Sequence, residues 1–217
     1  MKHLSIRTAD SLYWLGRYAQ RFETVAREIN RSFDLIIDVD NDAGKRLFEK
    51  LDYDVHYMSA RDFIKQAIQE IPFSSLAYII QNARENAIAS RDTISDHAFS
   101  CINAIYNRIV LEKSIQTPLD IEEMIRELDR FWGLISVTLN KSQAYRLIQY
   151  GQAIEILDLE LRLYGDTKLV SLDVVRLNEL GRSIDARYVP LVLNGSPLLE
   201  AIELVNTKIT TLIHYEI

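Results

Sequence analysis

Hydrophobic residues recur at helical spacing along most of the chain, and no segment keeps a two-residue alternation for long. Placed at about 100° per residue, Leu15, Tyr18, Phe22, Val25, Ala26, Ile29, Phe33 and Ile36 fall on one side of a helix predicted from Asp10 or Ser11 to Asp38. The turn formers between Asp38 and Gly44 end it. Lys45 to Tyr57 is ambiguous, with room for a short helix, and Ser59 to Ile71 predicts a helix closed by Pro72. From Ser74 to about Lys113 one stripe is nearly continuous through Leu76, Ile80, Ala83, Ala87, Ile94, Ala98, Cys101 and Ile105. A single helix of that length is unusual in a globular domain, so the pattern leaves room for a kink or break.

Thr117-Pro118 is a start signal, a capping residue followed by proline at the first helical position. The helix it opens carries Ile121, Ile125, Leu128, Trp132, Ile135 and Leu139. Further helices are predicted over about Ser142 to Tyr164, closed by Gly165, and over about Lys168 to Arg187, stopped by Pro190. The last starts at Ser196-Pro197 and carries Leu198, Ile202, Val205, Ile209, Leu212 and Ile213. Tyr188 to Leu193 could be extended, but Pro190 sits inside it. The fold class is therefore all-α: a single helical bundle of about six to eight mostly antiparallel helices joined by short connections. No Gly/Ser linker divides residues 1–217, so one domain is expected.

Composition narrows the function classes. With 217 residues, 48% of them hydrophobic, the chain is long enough for one substantial core or two small ones at most, and only seven glycines and four prolines favour an all-helical class. A formal net charge of −6 argues against a nucleic-acid partner. No run approaches the ~18 apolar residues of a membrane-spanning helix. Met1 to Arg7 has no apolar signal-peptide core, and one cysteine, Cys101, suits a reducing compartment; a cytoplasmic protein is expected.

The candidate chemistry lies in polar residues bordering the apolar stripes. On the first helix Gly16, Gln20, Glu23 and Arg27 gather along one edge of the stripe, where long side chains can reach into a helix–helix groove. A weaker copy with the same offsets returns about 135 residues later, a degenerate internal repeat. Gly151 matches Gly16, Glu155 matches Gln20, Asp158 matches Glu23 and Arg162 matches Arg27. Two such helices could face each other around a pseudo-symmetric polar seam, although solvated Glu/Arg pairs on unrelated helices share this spacing. A third constellation, Asn82 to Ser95, sets Arg84 and Arg91 beside the alanine-rich stripe with Ser95 on the same flank. Arginines there suit carboxylates or phosphates, from another helix or from a ligand. Glu23, Arg27, Arg84, Arg91, Asp158 and Arg162 are accordingly expected to converge between the first, middle and second-motif helices.

Leu12-Tyr13-Trp14-Leu15-Gly16-Arg17-Tyr18, followed by Gln20-Arg21 and Ala26-Arg27, resembles the start of the alpha-E domain family, bacterial helical proteins with a recurring Glu-Arg motif. Asn82-Ala83-Arg84-Glu85-Asn86-Ala87 and Arg91-Asp92-Thr93-Ile94-Ser95 resemble the family's second conserved stretch, with Ile88 at a position usually polar. The family's second Glu-Arg copy lines up with Gly151 to Arg162. Two departures stand out: Gln20 replaces the first glutamate, and Ile156 the second arginine. The resemblance covers about residues 5–165, leaving 166–217 as additional helices without a recognised motif.

The resemblance implies association with circularly permuted ATP-grasp proteins and transglutaminase-like proteins, hence a non-catalytic companion of an ATP-grasp-type ligase, in peptide synthesis or modification. The alternative is an enzyme or small-ligand-binding protein using a polar pocket between the motif helices. The candidate seam or binding residues on either view are Arg17, Gln20, Arg21, Glu23, Arg27, Arg84, Glu85, Asn86, Arg91, Ser95, Glu155, Asp158 and Arg162. No catalytic residue, cofactor or metal is assigned, and a homo-oligomer stays open. None of His3, His56, His97 and His214 has the Glu three residues earlier that a di-metal carboxylate bundle requires. The glycines are scattered singly, so no phosphate loop is present. Cys101, on an apolar stripe, reads as a buried inert thiol.

Overall fold

The computed structural model describes residues 4–165, 170–193 and 195–208. Among the described residues there are nine α-helices and no strand: α1 (Ile6–Asp38), α2 (Ala43–Lys50), α3 (Ala60–Gln69), α4 (Leu76–Ala89), α5 (Asp96–Tyr106), α6 (Pro118–Thr138), α7 (Gln143–Tyr164), α8 (Ser171–Ile184) and α9 (Leu198–Thr207). A single-turn π segment, Asn107–Leu111, continues α5. The all-α class stands, with nine helices in place of six to eight. His3, Lys168, Ile209, Leu212, Ile213 and His214 lie outside the described residues.

Local chemistry sets most boundaries. Ser5, Ser59, Ser75, Ser95, Thr117 and Ser142 each accept the amide three residues on, satisfying a donor that the first helical turn leaves free. At Thr117 the bond is reciprocal, because Asp120 accepts the Thr117 amide at 2.9 Å and Pro118 occupies the first turn. Gly165 ends α7 in the left-handed conformation (φ 68°). The Ser5 cap starts α1 at Ile6, before the Asp10 that the apolar stripe indicates. The long middle pattern does break. Ser90 Oγ turns back onto the Asn86 carbonyl at 2.8 Å, the Thr93 and Ile94 amides bond Ser90 O, buried Ile94 pins the turn and Ser95 restarts the helix.

Two hydrophobic clusters share α7. One of its faces (Leu147, Ile148, Leu159 and Leu163) closes the large core built by α1 to α6. The other (Tyr150, Ala153, Ile154, Leu157 and Leu161) packs with Tyr13, with Leu177 of α8, with Tyr188, Leu191 and Leu193, and with Ala201 and Val205 of α9. A helix covered on both sides is apolar nearly all round, so α7 lacks a clean amphipathic stripe. Asn178 holds the second layer together, accepting from the Leu191 amide (2.7 Å) and the Tyr188 hydroxyl (3.0 Å) and donating to Leu191 O (2.9 Å). No helix among the described residues is long and apolar enough to cross a membrane.

The helices α1 and α7, distant in sequence, run in the same direction. Their contacts advance together from Tyr13–Tyr150 through Arg17–Glu155 and Arg21–Asp158 to Glu28–Tyr164. They touch backbone to backbone at the glycines that open the two repeats. A Cβ on Gly16 would lie 2.1 Å from Ile148 O, and one on Gly151 would lie 2.1 Å from Tyr13 O, so each contact has its mate under a local two-fold. Only glycine permits that approach. Gly151→Ala is therefore expected to force the helices apart and cost ~3 kcal/mol, as overpacking of a rigid contact does. Gly133→Ala, where nothing stands within 4 Å of the added carbon, should instead gain up to ~1 kcal/mol of helix propensity. Urea unfolding of the two variants checks both signs.

Candidate functional site

The close approach at the glycines brings the charged residues that follow them into one buried cluster. Arg17 and Arg21 extend from α1 toward α7, where Glu155 and Asp158 are each 1% exposed. Arg17 Nε donates to Glu155 Oε2 at 2.6 Å, and Arg21 Nε donates to the second oxygen of the same carboxylate. Arg21 Nη2 also reaches Asp158 Oδ2 at 3.2 Å. One turn on, Arg162 Nε donates to both Asp158 oxygens at 3.2 Å, while its Nη1 holds Asp52 beyond α2. Asn206 of α9 closes the cluster, accepting from Arg17 Nη2 at 3.0 Å and donating to Asp158 Oδ1 at 2.8 Å. The Arg17 guanidinium also stacks 5.2 Å from the centre of the Trp14 ring.

The electrostatics follow from this sharing. Burial alone would push the Glu155 carboxyl up, but Arg17 and Arg21 outweigh it and hold it below the usual carboxylate value. Burial likewise works against the Arg17 charge, and Glu155 overcomes it, raising the pKa. The Tyr13 hydroxyl, which receives Arg17 Nη1 at 3.4 Å, is pushed up to about 12 mainly by burial. These groups are fixed as ions, or for tyrosine as neutral phenol, across the physiological range. None is poised to exchange a proton near neutrality, as a general acid or base must be.

The local two-fold relates Arg17 to Gln152 and Gln20 to Glu155, so the Arg17–Glu155 ion pair has a mate. That mate is an amide pair, Gln152 Nε2 to Gln20 Oε1 at 3.0 Å. On the charged side Arg21 adds a second cation; the equivalent position on the other side is Ile156. One half of the symmetric arrangement is ionic and the other neutral.

The remaining candidates lie elsewhere. The expected convergence of Glu23, Arg27, Arg84, Arg91, Asp158 and Arg162 does not occur; only Asp158 and Arg162 of that set enter the cluster. Glu23 pairs with Arg27 at 3.1 Å and accepts Trp132 Nε1 at 3.2 Å, facing α6. Arg84, on α4, donates to Asn103 at 2.8 Å and stacks 4.5 Å from the Tyr106 ring centre. Arg91 sits in the turn, paired with Asp96 at 3.3 Å and lying over Phe99. The break at Ser90 is the physical reason: beyond it Arg91 no longer continues the face that carries Arg84. Ser95 serves as the α5 cap, Asn86 donates back to Asn82 O at 2.8 Å, and Glu85 is exposed. Gln20 also donates to Thr24 at 3.1 Å.

Sequence reasoning missed Gln152, Asn206, Asp52 and the Tyr13 hydroxyl as cluster partners. The equal offset of the two glycines could have found Gln152, since it places that residue opposite the seam; nothing local marks Asn206. Cys101 is buried, and its thiol is pushed up to about 12 by burial first and then by Glu127. Among the described residues no group of three or more His, Cys, Asp or Glu is placed to hold a metal ion.

The Alpha-E family model, described as "a predicted alpha-helical domain with a conserved ER motif", matches residues 4–193. The chain belongs to that family, and the match runs past Tyr164 to include α8 and the Asn178-bound segment. No curated protein and no solved structure matches the chain. The sequence contains no Glu-Arg dipeptide at all. Its Glu–Arg contact is made across the repeats, from Arg21 of the first copy to Glu155 of the second.

Two measurements follow from the cluster. Glu155 has a depressed folded-state pKa, so its contribution to stability is fully present above about pH 4.3, the unfolded value, and fades as pH falls through the lower folded one. Glu155→Gln should be less stable at neutral pH, yet lose less on acidification from pH 5 to pH 3 than the wild type, as read from urea midpoints against pH. Arg84→Ala, outside the cluster, loses one hydrogen bond and one ring contact and should cost ~1–2 kcal/mol, less than a stranded buried charge.

Proposed function

We propose that this alpha-E protein is a non-catalytic companion of an ATP-grasp-type ligase, holding or presenting that enzyme's acyl or peptide substrate in peptide synthesis or modification. One observation supports this reading above others. The residues that carry the family resemblance on α1 and α7 are turned inward and satisfied by one another, from Arg17 and Arg21 through Glu155 and Asp158 to Asn206. A catalytic constellation needs groups aimed at a space a substrate can occupy. Here the space between the motif helices is filled by the Gly16–Gly151 backbone contact and by the Arg17 side chain. The motif then serves to fix a rigid helical body, and the outer helices are left for contact with partners. The resemblance names the class of partner, an ATP-grasp-type protein with a transglutaminase-like protein beside it, and a cytoplasmic setting accords with that company.

The competing reading is a small ligand bound between the motif helices, and one experiment separates the two. Tagged full-length protein would be purified from its native cells, with tag alone as control, and the eluate examined for proteins and for metabolites by mass spectrometry. The companion reading expects an ATP-grasp-type protein enriched with the bait and retained through size-exclusion chromatography. A stoichiometric metabolite with no protein partner would overturn it in favour of the ligand.

A further inference from the structure

We propose that the cleft between α3 and the turn following the π segment binds a short aliphatic carboxylate, its alkyl chain against Ile64, Ile68 and Ile115 and its carboxylate among Arg61, Lys65 and Lys113. The cleft has a volume of about 280 Å³. That is just under the ~300–1,000 Å³ usual for small-molecule sites, so it suits a small occupant. Three buried isoleucines, Ile64, Ile68 and Ile115, give it an aliphatic floor, and Arg61, Lys65, Lys113 and two glutamines complete the lining. Its charge is of one sign: three cations line it and no carboxylate does.

The state of those cations points to an anion. Lys65 is paired with Glu70 at 2.7 Å, outside the lining. Among the described residues the side chains of Arg61 and Lys113 have no hydrogen-bond or ion-pair partner. Of the nearby acids, Asp62 accepts the Met58 amide at 3.0 Å and acts on Lys65, and Glu112 accepts the Ser114 hydroxyl at 3.5 Å, which leaves Arg61 and Lys113 as the open cations. The backbone is also bent to form this mouth. Lys113 adopts φ 50°, a left-handed conformation unfavourable for a lysine, two residues beyond a π turn of a kind uncommon in helices. Gln69 Nε2 braces the arrangement from the cleft wall, donating to Ile109 O of the π turn at 2.7 Å. The result sets Lys113 and Ile115 opposite α3. Apolar floor with cationic rim selects an amphiphile whose polar end is an anion, and the inference does not rest on the companion reading above.

The probe is sodium hexanoate, with 1-hexanol as its neutral counterpart, titrated into uniformly ¹⁵N-labelled full-length protein at low ionic strength. Saturable amide shifts are expected at Ile64, Gln69, Lys113 and Ile115, with hexanol binding at least ~5-fold more weakly because it lacks the charge the rim recognises. The Arg61→Gln/Lys113→Gln double variant should weaken hexanoate ~5-fold or more and leave hexanol unchanged, since surface charge, not the floor, is altered. Absence of saturable shifts at those amides, or equal binding of hexanoate and hexanol, would overturn the proposal.

Discussion

The structure depends on the backbone contact between Gly16 and Gly151. With any side chain at either position, α1 and α7 would stand further apart, and Arg17 would no longer reach Glu155 at 2.6 Å. The approach makes burial of charge tolerable. A carboxylate removed from water is stable only when several strong donors replace the hydration it loses. Glu155 receives two guanidinium groups, and Asp158 receives two as well as the Asn206 amide. Helix α9 is thereby fastened to the central pair by a polar bond as well as by Ala201 and Val205. Both hydrophobic layers meet on α7, so the position of this one helix sets the geometry of both.

The cluster also fixes register. Sliding α7 by one turn would bring Arg17 opposite Gly151 or Leu159 instead of Glu155, leaving the cation buried without an anion. Apolar packing discriminates less sharply between such alternatives, because Ile148, Leu159 and Leu163 fill similar space. The neutral mate of the ion pair, Gln20 with Gln152, keeps a hydrogen bond at the symmetric position without a second buried charge. Had Gln20 alone been charged, its counter-ion would have been missing on both Gln152 and Ile156. The two halves of the repeat therefore differ as a matched set, and the buried Glu–Arg contacts run between the copies.

Much of the fold is legible in the sequence because its determinants are local. Thr117-Pro118, Ser142 and Gly165 announce their helix ends, and the apolar stripes of α1 and α6 are the buried faces observed. The break between α4 and α5 is less visible. It contains no glycine or proline and arises from Ser90 competing for the Asn86 carbonyl, a choice settled by the burial of Ile94. The site was half legible. The matched offsets of Gly16 and Gly151 predict a seam between the two motif helices, and Asp158 and Arg162 lie in the charged cluster there. Border positions on a helical wheel cannot tell which neighbour a side chain meets, so Arg84 and Glu23 were drawn to the seam when they face α5 and α6. Asn206, contributed by a helix beyond the family match, joins through tertiary packing that no motif records.

The central claim is that the motif's charged residues act on one another and hold the fold. It is tested most directly by a double-mutant cycle on Arg17→Met and Glu155→Met, with unfolding free energies from urea denaturation. Glu155→Met strands the buried Arg17 cation and should cost ~3–5 kcal/mol; Arg17→Met leaves Glu155 with Arg21 alone and should cost less, while the double variant should be no worse than Glu155→Met, giving a large favourable coupling. Additive losses, or single variants within ~0.5 kcal/mol of the wild type, would contradict the account and return these residues to solvent or to a ligand.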